Sequence, residues 1–160
     1  MKRVAVYPAS LDPIHYGHID VATRALHIFD EVIVTIYSTP KKKNMLFDLE
    51  ERVELAQKCF EAYDNIQVTS FSGLAVDYVQ SVGAVAIIRG LRVFGDFEFE
   101  FRMGMANKKL APNIETVAIL ASERYMHISS STVREIAELG GDVTAFVPDH
   151  VVKALKARFA

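Results

Sequence analysis

The length and charge of the chain exclude several classes of protein. The chain has 160 residues, of which 51% are hydrophobic. This length predicts one compact domain, residues 1–160, and not two. The chain carries 18 Lys and Arg against 20 Asp and Glu, so it lacks the positive field that binding to nucleic acid normally needs. No apolar run approaches the roughly 20 residues that cross a bilayer. A single cysteine, Cys59, favours a reducing compartment. We therefore predict a cytoplasmic protein that binds neither nucleic acid nor membranes.

The predicted elements alternate between strands and helices along the chain. Runs of β-branched and apolar residues predict strands, and apolar residues at helical spacing predict helices. Asp48, with Glu51 three residues later, predicts a capping box at the start of the second helix. In chain order the predicted segments are strand 3–7, helix 18–29, strand 31–37, helix 49–61, strand 66–71, helix 75–82, strand 85–88, helix 94–110, strand 116–120, helix 130–139 and helix 151–159.

This alternation is typical of an α/β fold whose parallel sheet is covered by helices on both faces. We predict a single doubly wound, Rossmann-like domain with a five-stranded parallel sheet. In such sheets, ligands bind beyond the carboxyl ends of the strands. Polar residues that directly follow a predicted strand are therefore the candidate site residues.

The first candidate segment follows the first strand and contains His15-x-Gly17-His18. A helix N-terminus attracts anions through its unpaired N–H groups, and Gly17 permits close approach of a ligand to the backbone. A single histidine at a helix start is more often a cap than a catalyst, but two in this pattern favour a shared pocket. A zinc site is disfavoured, because no cysteine or further histidine stands at a supporting spacing. The common Gly-x-Gly and Gly-Lys-Ser/Thr phosphate motifs do not occur.

Three further polar segments follow predicted strands. Residues 41–43 are three lysines, most of which are expected to be solvated, although one could reach a phosphate. Arg89 comes directly after the apolar run 85–88, where a guanidinium needs an anion or a carboxylate partner. Four hydroxyl residues, Ser129 to Thr132, begin a helix that needs only one of them as a cap. Together these segments predict a pocket for a polyphosphate.

The start of the fourth helix alternates acidic and aromatic residues. The acidic residues are expected to complement the helix dipole, and the aromatic residues to pack in the core. The acidic members are Asp96, Glu98 and Glu100, and the aromatic members are Phe97, Phe99 and Phe101.

These motifs together resemble the phosphopantetheine adenylyltransferases of bacterial coenzyme A synthesis. The resemblance covers essentially the whole chain. The pattern HxGH and the pattern ISSSxxR alone mark only the wider nucleotidylyltransferase superfamily, whereas IRGLR and DFE are narrower. The residues that carry it are Tyr7-Pro8-x-Ser10-x-Asp12-Pro13, His15-x-Gly17-His18, Ile88 to Arg92, Asp96 to Glu98 and Ile128 to Ser131.

The resemblance implies transfer of the AMP part of ATP to 4'-phosphopantetheine, giving dephospho-coenzyme A and pyrophosphate. It also implies Mg²⁺ and a homohexamer. His18 would be the catalytic residue, which stabilises the transition state at the α-phosphate. The acceptor would be bound by Ser10, Lys42, Leu74, Ala75 and Arg89. ATP would be bound by Ser10, Leu11, His15, His18, Gly90, Leu91, Arg92, Glu100, Tyr125, Met126, His127, Ile128, Ser129, Ser130 and Ser131.

The sequence departs from the family pattern at three places, and two other functions stay open. Ser10 replaces the usual Thr, and His15 stands where many members have Thr or Asn. The loop at 44–48 is longer, which leaves open whether Lys42 or a neighbour is the functional lysine. One alternative function is a related nucleotidyltransferase with another phosphate acceptor. The other is a nucleotide-sensing module that binds ATP or coenzyme A without turnover.

Overall fold

The fold, seen in a computed structural model that describes residues 1–38 and 44–160, is built on one parallel sheet. Its strands are β1 (Val4–Ala9), β2 (Glu31–Tyr37), β3 (Ile66–Phe71), β4 (Ala86–Leu91) and β5 (Glu115–Leu120). Its helices are α1 (Tyr16–Ala25), α2 (Leu49–Phe60), α3 (Ala75–Ser81), α4 (Phe94–Leu110), α5 (Ser130–Glu138) and α6 (Asp149–Phe159). The five strands are parallel and lie in the order β3-β2-β1-β4-β5, which confirms the predicted α/β fold.

The hydrophobic core lies on both faces of the sheet. Ala5 and Tyr7 of β1 belong to one buried cluster, together with residues of α1, α2, α5 and α6. Val6 of β1 and Ile33 of β2 belong to a second cluster, together with residues of α3. Alternate residues of a strand point to opposite faces, so this division shows that helices cover both sides of the sheet.

The strand order changes direction between β1 and β4, and this change creates a crevice. The pairing of β1 with β2 continues to Ala9 and Ile36, whereas the pairing of β1 with β4 is confined to Ala5–Ala86 and Val6–Ile87. The carboxyl halves of β1 and β4 are therefore not joined by ladder hydrogen bonds. Such a point is where open α/β sheets bind their ligands.

The predicted bounds of β2, β3 and α4 agree with the structure, and the bounds of the other elements differ at their ends. The prediction that the fourth strand stops at Ile88 is wrong, because β4 continues to Leu91. Arg89 pairs with Ala118, and Leu91 pairs with Leu120. A backbone ladder does not require apolar side chains, so a polar residue can lie inside a strand. Arg89 is thus held by the sheet itself.

The aromatic residues of α4 are not in the core, and that prediction is wrong. Phe97, Phe99 and Phe101 are 55%, 53% and 57% exposed. They share the exposed surface of α4 with Met105. Within the ranges that the structure describes, no helix is both long and apolar enough to cross a membrane.

Candidate active site

A cavity of about 620 Å³ lies at the carboxyl ends of β1 and β4. Its wall comes from the segments that follow β1, β3, β4 and β5, as the sheet topology predicts. It contains most of the site residues predicted from the sequence: Ser10, His15, His18, Leu74, Ala75, Arg89, Gly90, Arg92, Glu100, Tyr125, Ser129, Ser130 and Ser131.

Other predicted site residues lie apart from this wall. Leu11 lines an adjoining cavity of about 550 Å³, which shares Ser10 and His18 with the first. Met126 is exposed, and the ring of His127 packs edge-on against Phe146. Ile128 is buried and Leu91 is half-buried. Lys42 falls within residues 39–43, which are outside the described residues, so its role stays a prediction.

His15 and His18 cap the N-terminus of α1 together. The backbone N–H of Gly17 donates to Nδ1 of His15 at 3.0 Å. The backbone N–H of His15 donates to Nδ1 of His18 at 3.1 Å. Each Nδ1 is therefore an acceptor, which assigns the proton of each neutral ring to Nε2. The rings stack with centroids 3.7 Å apart, so their two Nε2–H donors belong to one site.

Both imidazoles are held in the neutral form. Burial, and then the positive charge of Arg92, lower the pKa of His15 to about 3. Burial, followed by His15 and Arg92, holds the pKa of His18 well below its ordinary value. Near pH 7 the pair thus offers uncharged N–H donors at a helix N-terminus, where the dipole favours an anion. The first turn of α1 contains no acidic residue that would oppose this.

The stability of the fold should depend on pH through His15. An unfolded histidine takes up its proton near pH 6.5, whereas His15 in the fold does so only near pH 3. Between these values the unfolded chain binds more protons, so the free energy of unfolding falls as the pH falls. For His15 the loss between pH 7 and pH 5 is about 2 kcal/mol.

Urea unfolding at pH 7 and pH 5 tests this prediction, with His15→Asn as the matched variant. Asn is a good N-cap residue and retains an acceptor for the N–H of Gly17, but it does not titrate. The free energy of unfolding should fall less steeply with pH in the variant. Equal losses in the two proteins would contradict the assigned pKa of His15.

The loop between β1 and α1 is fixed by buried charges. The carboxylate of Asp12, which is 3% exposed, accepts the backbone N–H groups of Leu46 and Phe47, each at 2.9 Å. Nη1 of Arg52, a buried residue, donates to the carbonyl oxygen of Ser10 at 2.8 Å. Sequence reasoning missed this role of Arg52. These contacts hold Ser10 against the start of α2 and so determine one side of the site.

Arg89 lies on β4 with its guanidinium against Glu100 of α4. Nε and Nη2 of Arg89 donate to the two carboxylate oxygens of Glu100 at 2.6 and 2.8 Å, and Nη1 donates to the carbonyl oxygen of Pro8 at 3.1 Å. Burial alone would lower the pKa of Arg89, but the hydrogen bonds and charge of Glu100 outweigh this and raise it. The guanidinium therefore remains charged while half-buried. This meets the expectation that it needs a carboxylate partner.

Arg92 joins β4 to the segment before α5. Its Nη1 donates to the carbonyl oxygen of Ile128 at 2.8 Å, and its Nε donates to Asp96 at 3.3 Å. The hydroxyl of Ser129 caps α5 by accepting the N–H of Thr132 at 3.2 Å. As predicted, one hydroxyl serves as the cap. Ser130 donates to the carbonyl oxygen of Pro13 at 2.8 Å, so the starts of α1 and α5 are tied together.

At Gly90 the backbone of the site packs closely against α1. A Cβ atom at this position would lie 3.2 Å from Cγ2 of Val21, which is tighter than an ordinary contact. Val21 lies on α1, two turns or less from the paired histidines. A side chain at residue 90 would therefore press on the helix that positions them.

Among residues 1–38 and 44–160, no three His, Cys, Asp or Glu side chains come together as a metal site.

The fold and the motif region match known proteins. A family model described as Cytidylyltransferase-like matches residues 6–136. A solved structure from Vibrio parahaemolyticus, provisionally assigned as a nicotinate-nucleotide adenylyltransferase, superposes with a TM-score of 0.73 at 18% identity. The match covers 98% of this chain and 99% of that one, so the two proteins share a fold.

Two curated relatives are more similar to this chain in sequence than that solved structure is. A protein from Roseiflexus sp. (strain RS-1) is 51% identical over 98% of this chain and 97% of its own length. A protein from Caldanaerobacter subterraneus subsp. tengcongensis is 46% identical over 98% of both chains. Each is named phosphopantetheine adenylyltransferase. The chain is thus an enzyme of the cytidylyltransferase-like class of nucleotidyltransferases. Within that class it belongs to the phosphopantetheine adenylyltransferase family, as its motifs predicted.

Proposed function

We propose that the chain transfers the adenylyl group of ATP to 4'-phosphopantetheine, giving dephospho-coenzyme A and pyrophosphate. One observation carries this function beyond family membership. The neutral histidine pair at the start of α1 and the charged Arg89 on β4 line the same cavity at the crevice between β1 and β4. Such a cavity suits two phosphate-bearing reactants that must meet.

The reaction needs positioning and electrostatic stabilisation more than acid-base catalysis. The acceptor is a phosphate monoester that is already deprotonated near neutral pH, so no side chain has to create the nucleophile. An acceptor phosphate oxygen attacks the α-phosphorus of ATP, and the bond to the departing pyrophosphate breaks. Negative charge grows on the α-phosphate oxygens during this step. In our proposal, Nε2–H of His18 donates to that charge.

The other predicted residues divide between the two substrates. Arg89, Ser10 and Lys42 would bind the phosphate of the acceptor, and Leu74 and Ala75 would contact its arm. Ser10, Leu74, Ala75 and Arg89 all line the cavity, as this assignment requires. For ATP, we propose binding by the start of α1, the backbone of residues 90–92, the segment 125–131 and Leu11.

Mg²⁺ is proposed to enter as part of the ATP substrate. This ion is usually held by substrate phosphates and water together with few protein ligands. Its chemistry would be to neutralise charge on the phosphates. Asp96 lies on the cavity wall but is engaged by the backbone N–H and Nε of Arg92.

We also propose that the enzyme works in the cytoplasm.

We propose a homohexamer as the assembly, because apolar side chains of α4 are exposed within the part of the chain that the structure describes. The rings of Phe97 and Phe101 stack on one another with centroids 5.8 Å apart, and both are more than half exposed. An exposed apolar surface of this kind often marks an interface between proteins.

Phe101→Lys is expected to reduce the mass of the assembly, because a charge would be buried in the interface. Light scattering coupled to size-exclusion chromatography measures this. Tyr63→Lys is the matched control, since Tyr63 is also an exposed aromatic residue but precedes β3 at the opposite edge of the sheet. Unaltered mass in Phe101→Lys would exclude α4 from the interface.

An assay of pyrophosphate release tests the proposed function. The purified protein is mixed with Mg²⁺, ATP and one candidate acceptor at a time. Release of pyrophosphate with 4'-phosphopantetheine, and formation of dephospho-coenzyme A, is the expected result. Release only with a different phosphate acceptor would indicate another nucleotidyltransferase, and ATP binding without release would indicate a nucleotide-sensing module.

A further inference from the structure

The pairing of Arg89 with Glu100 leaves one end of the guanidinium available. Arginine has five N–H donors in a planar arrangement. Among the described residues, Glu100 accepts from Nε and Nη2, and the Pro8 carbonyl oxygen accepts from Nη1. This leaves one N–H on each of Nη1 and Nη2. Two N–H groups of one guanidinium are suited to bind a phosphate in a bidentate manner.

We propose that Glu100 is a positioning residue for the phosphate acceptor, which acts by orienting Arg89. The inference rests on the proposed function. The family resemblance assigns Glu100 to ATP, whereas the geometry points to a role of its side chain on the acceptor side. Glu100 occupies the Nε edge of the guanidinium, and the acceptor phosphate takes the remaining N–H groups.

The environment of the pair favours this role. The side chain of Glu100 is only 13% exposed and that of Arg89 is 31% exposed, so the ion pair is shielded from water. An unpaired arginine samples many rotamers, and ordering it on binding lowers affinity. Contacts from α4 and from β1 fix the Arg89 guanidinium before the substrate arrives.

Tyr7 adds no competing negative charge beside this pair. Burial raises the pKa of the Tyr7 hydroxyl to about 12; the smaller effect of Arg89 lowers this pKa, and that of Glu100 raises it. The hydroxyl therefore stays protonated. Tyr7 is 6% exposed and lies on the cavity wall, so the surroundings of Arg89 remain suitable for an anion.

Glu100→Gln separates the two possible roles. The amide presents N–H groups where the carboxylate had an oxygen, so it cannot accept both hydrogen bonds from Arg89. We expect KM and Kd for 4'-phosphopantetheine to rise roughly tenfold, similar to the smaller effects of removing a residue that orients a metal ligand. KM for ATP should stay within about twofold, because the nucleotide does not depend on Arg89. Kd is measured by calorimetry, and KM from pyrophosphate release.

Two further variants make the test specific. Glu98→Gln is the matched control, because Glu98 is an exposed residue on the same helix and should leave all constants unchanged. In an Arg89→Ala background, Glu100→Gln should add no further loss of acceptor affinity, since Glu100 acts through Arg89.

Several outcomes would overturn the inference. They are a rise in KM for ATP with an unchanged Kd for the acceptor, an acceptor Kd that is unchanged or lower in Glu100→Gln, and additive losses in the double variant. Failure of the proposed function looks different, because the unaltered protein would then release no pyrophosphate with 4'-phosphopantetheine. In that case the inference falls with it.

Discussion

Replacing His18 with Ala is expected to lower kcat about a hundredfold or more, while KM for ATP changes far less. The reason is the orientation of the imidazole ring of His18. Nδ1 accepts the N–H of His15, so Nε2–H is the donor, and in our proposal it acts on charge that grows only during the reaction. A well-placed donor of this kind contributes on the order of 3 kcal/mol to the transition state.

His18→Asn separates the chemistry from the helix cap. Its amide lies near the position of Nδ1 and keeps an acceptor for the N–H of His15, but no group replaces Nε2. We expect kcat as low as in His18→Ala, with stability closer to the unaltered protein. If either variant kept its kcat and lost only affinity for ATP, His18 would have no role in the transition state.

Replacing Arg89 with Ala is expected to raise KM for the acceptor roughly 10–100-fold, the usual range for a hydrogen bond to a charged group. KM for ATP should rise much less. Steady-state kinetics with each substrate varied in turn will measure the two effects. An unchanged acceptor KM would remove Arg89 from the acceptor site.

The same substitution is also expected to destabilise the fold. The sequence alone predicts little effect on folding, because the side chain faces a pocket. In the structure, however, its loss leaves the mostly buried carboxylate of Glu100 without its partner. That costs about 1–3 kcal/mol, which urea unfolding can measure. Arg3→Ala is the control, because its ion pair with Asp30 is exposed and should contribute little.

The central strands could be predicted from the sequence because β1 and β2 are buried on both faces. The run from Glu31 to Tyr37 is almost wholly apolar and β-branched, and no helical spacing competes with that pattern. The end of β4 could not be predicted in this way. Arg89 and Gly90 belong to the strand because β5 pairs with them, and that neighbour is invisible in a local pattern.

The candidate site was partly predictable for a similar reason. His15, His18 and Arg89 were candidates because of their positions relative to the predicted strand ends. All three line one cavity, since parallel strands end at the same edge of the sheet. The partners of these residues are harder to predict. Glu100 reaches Arg89 from a different element, and an alternating acidic pattern on a helix does not reveal which carboxylate faces inward.

The shared histidine cap restricts how this enzyme can be engineered for heat resistance. Introducing Asp at the N-cap of a helix is a common stabilising change, since it neutralises the positive end of the dipole. At residue 15, however, an added carboxylate would oppose the positive end of the helix dipole at the place where we propose that the nucleotide binds. Efforts to raise the melting temperature should therefore spare α1 and begin at helices such as α6, where Pro148 precedes the first turn without a side-chain cap.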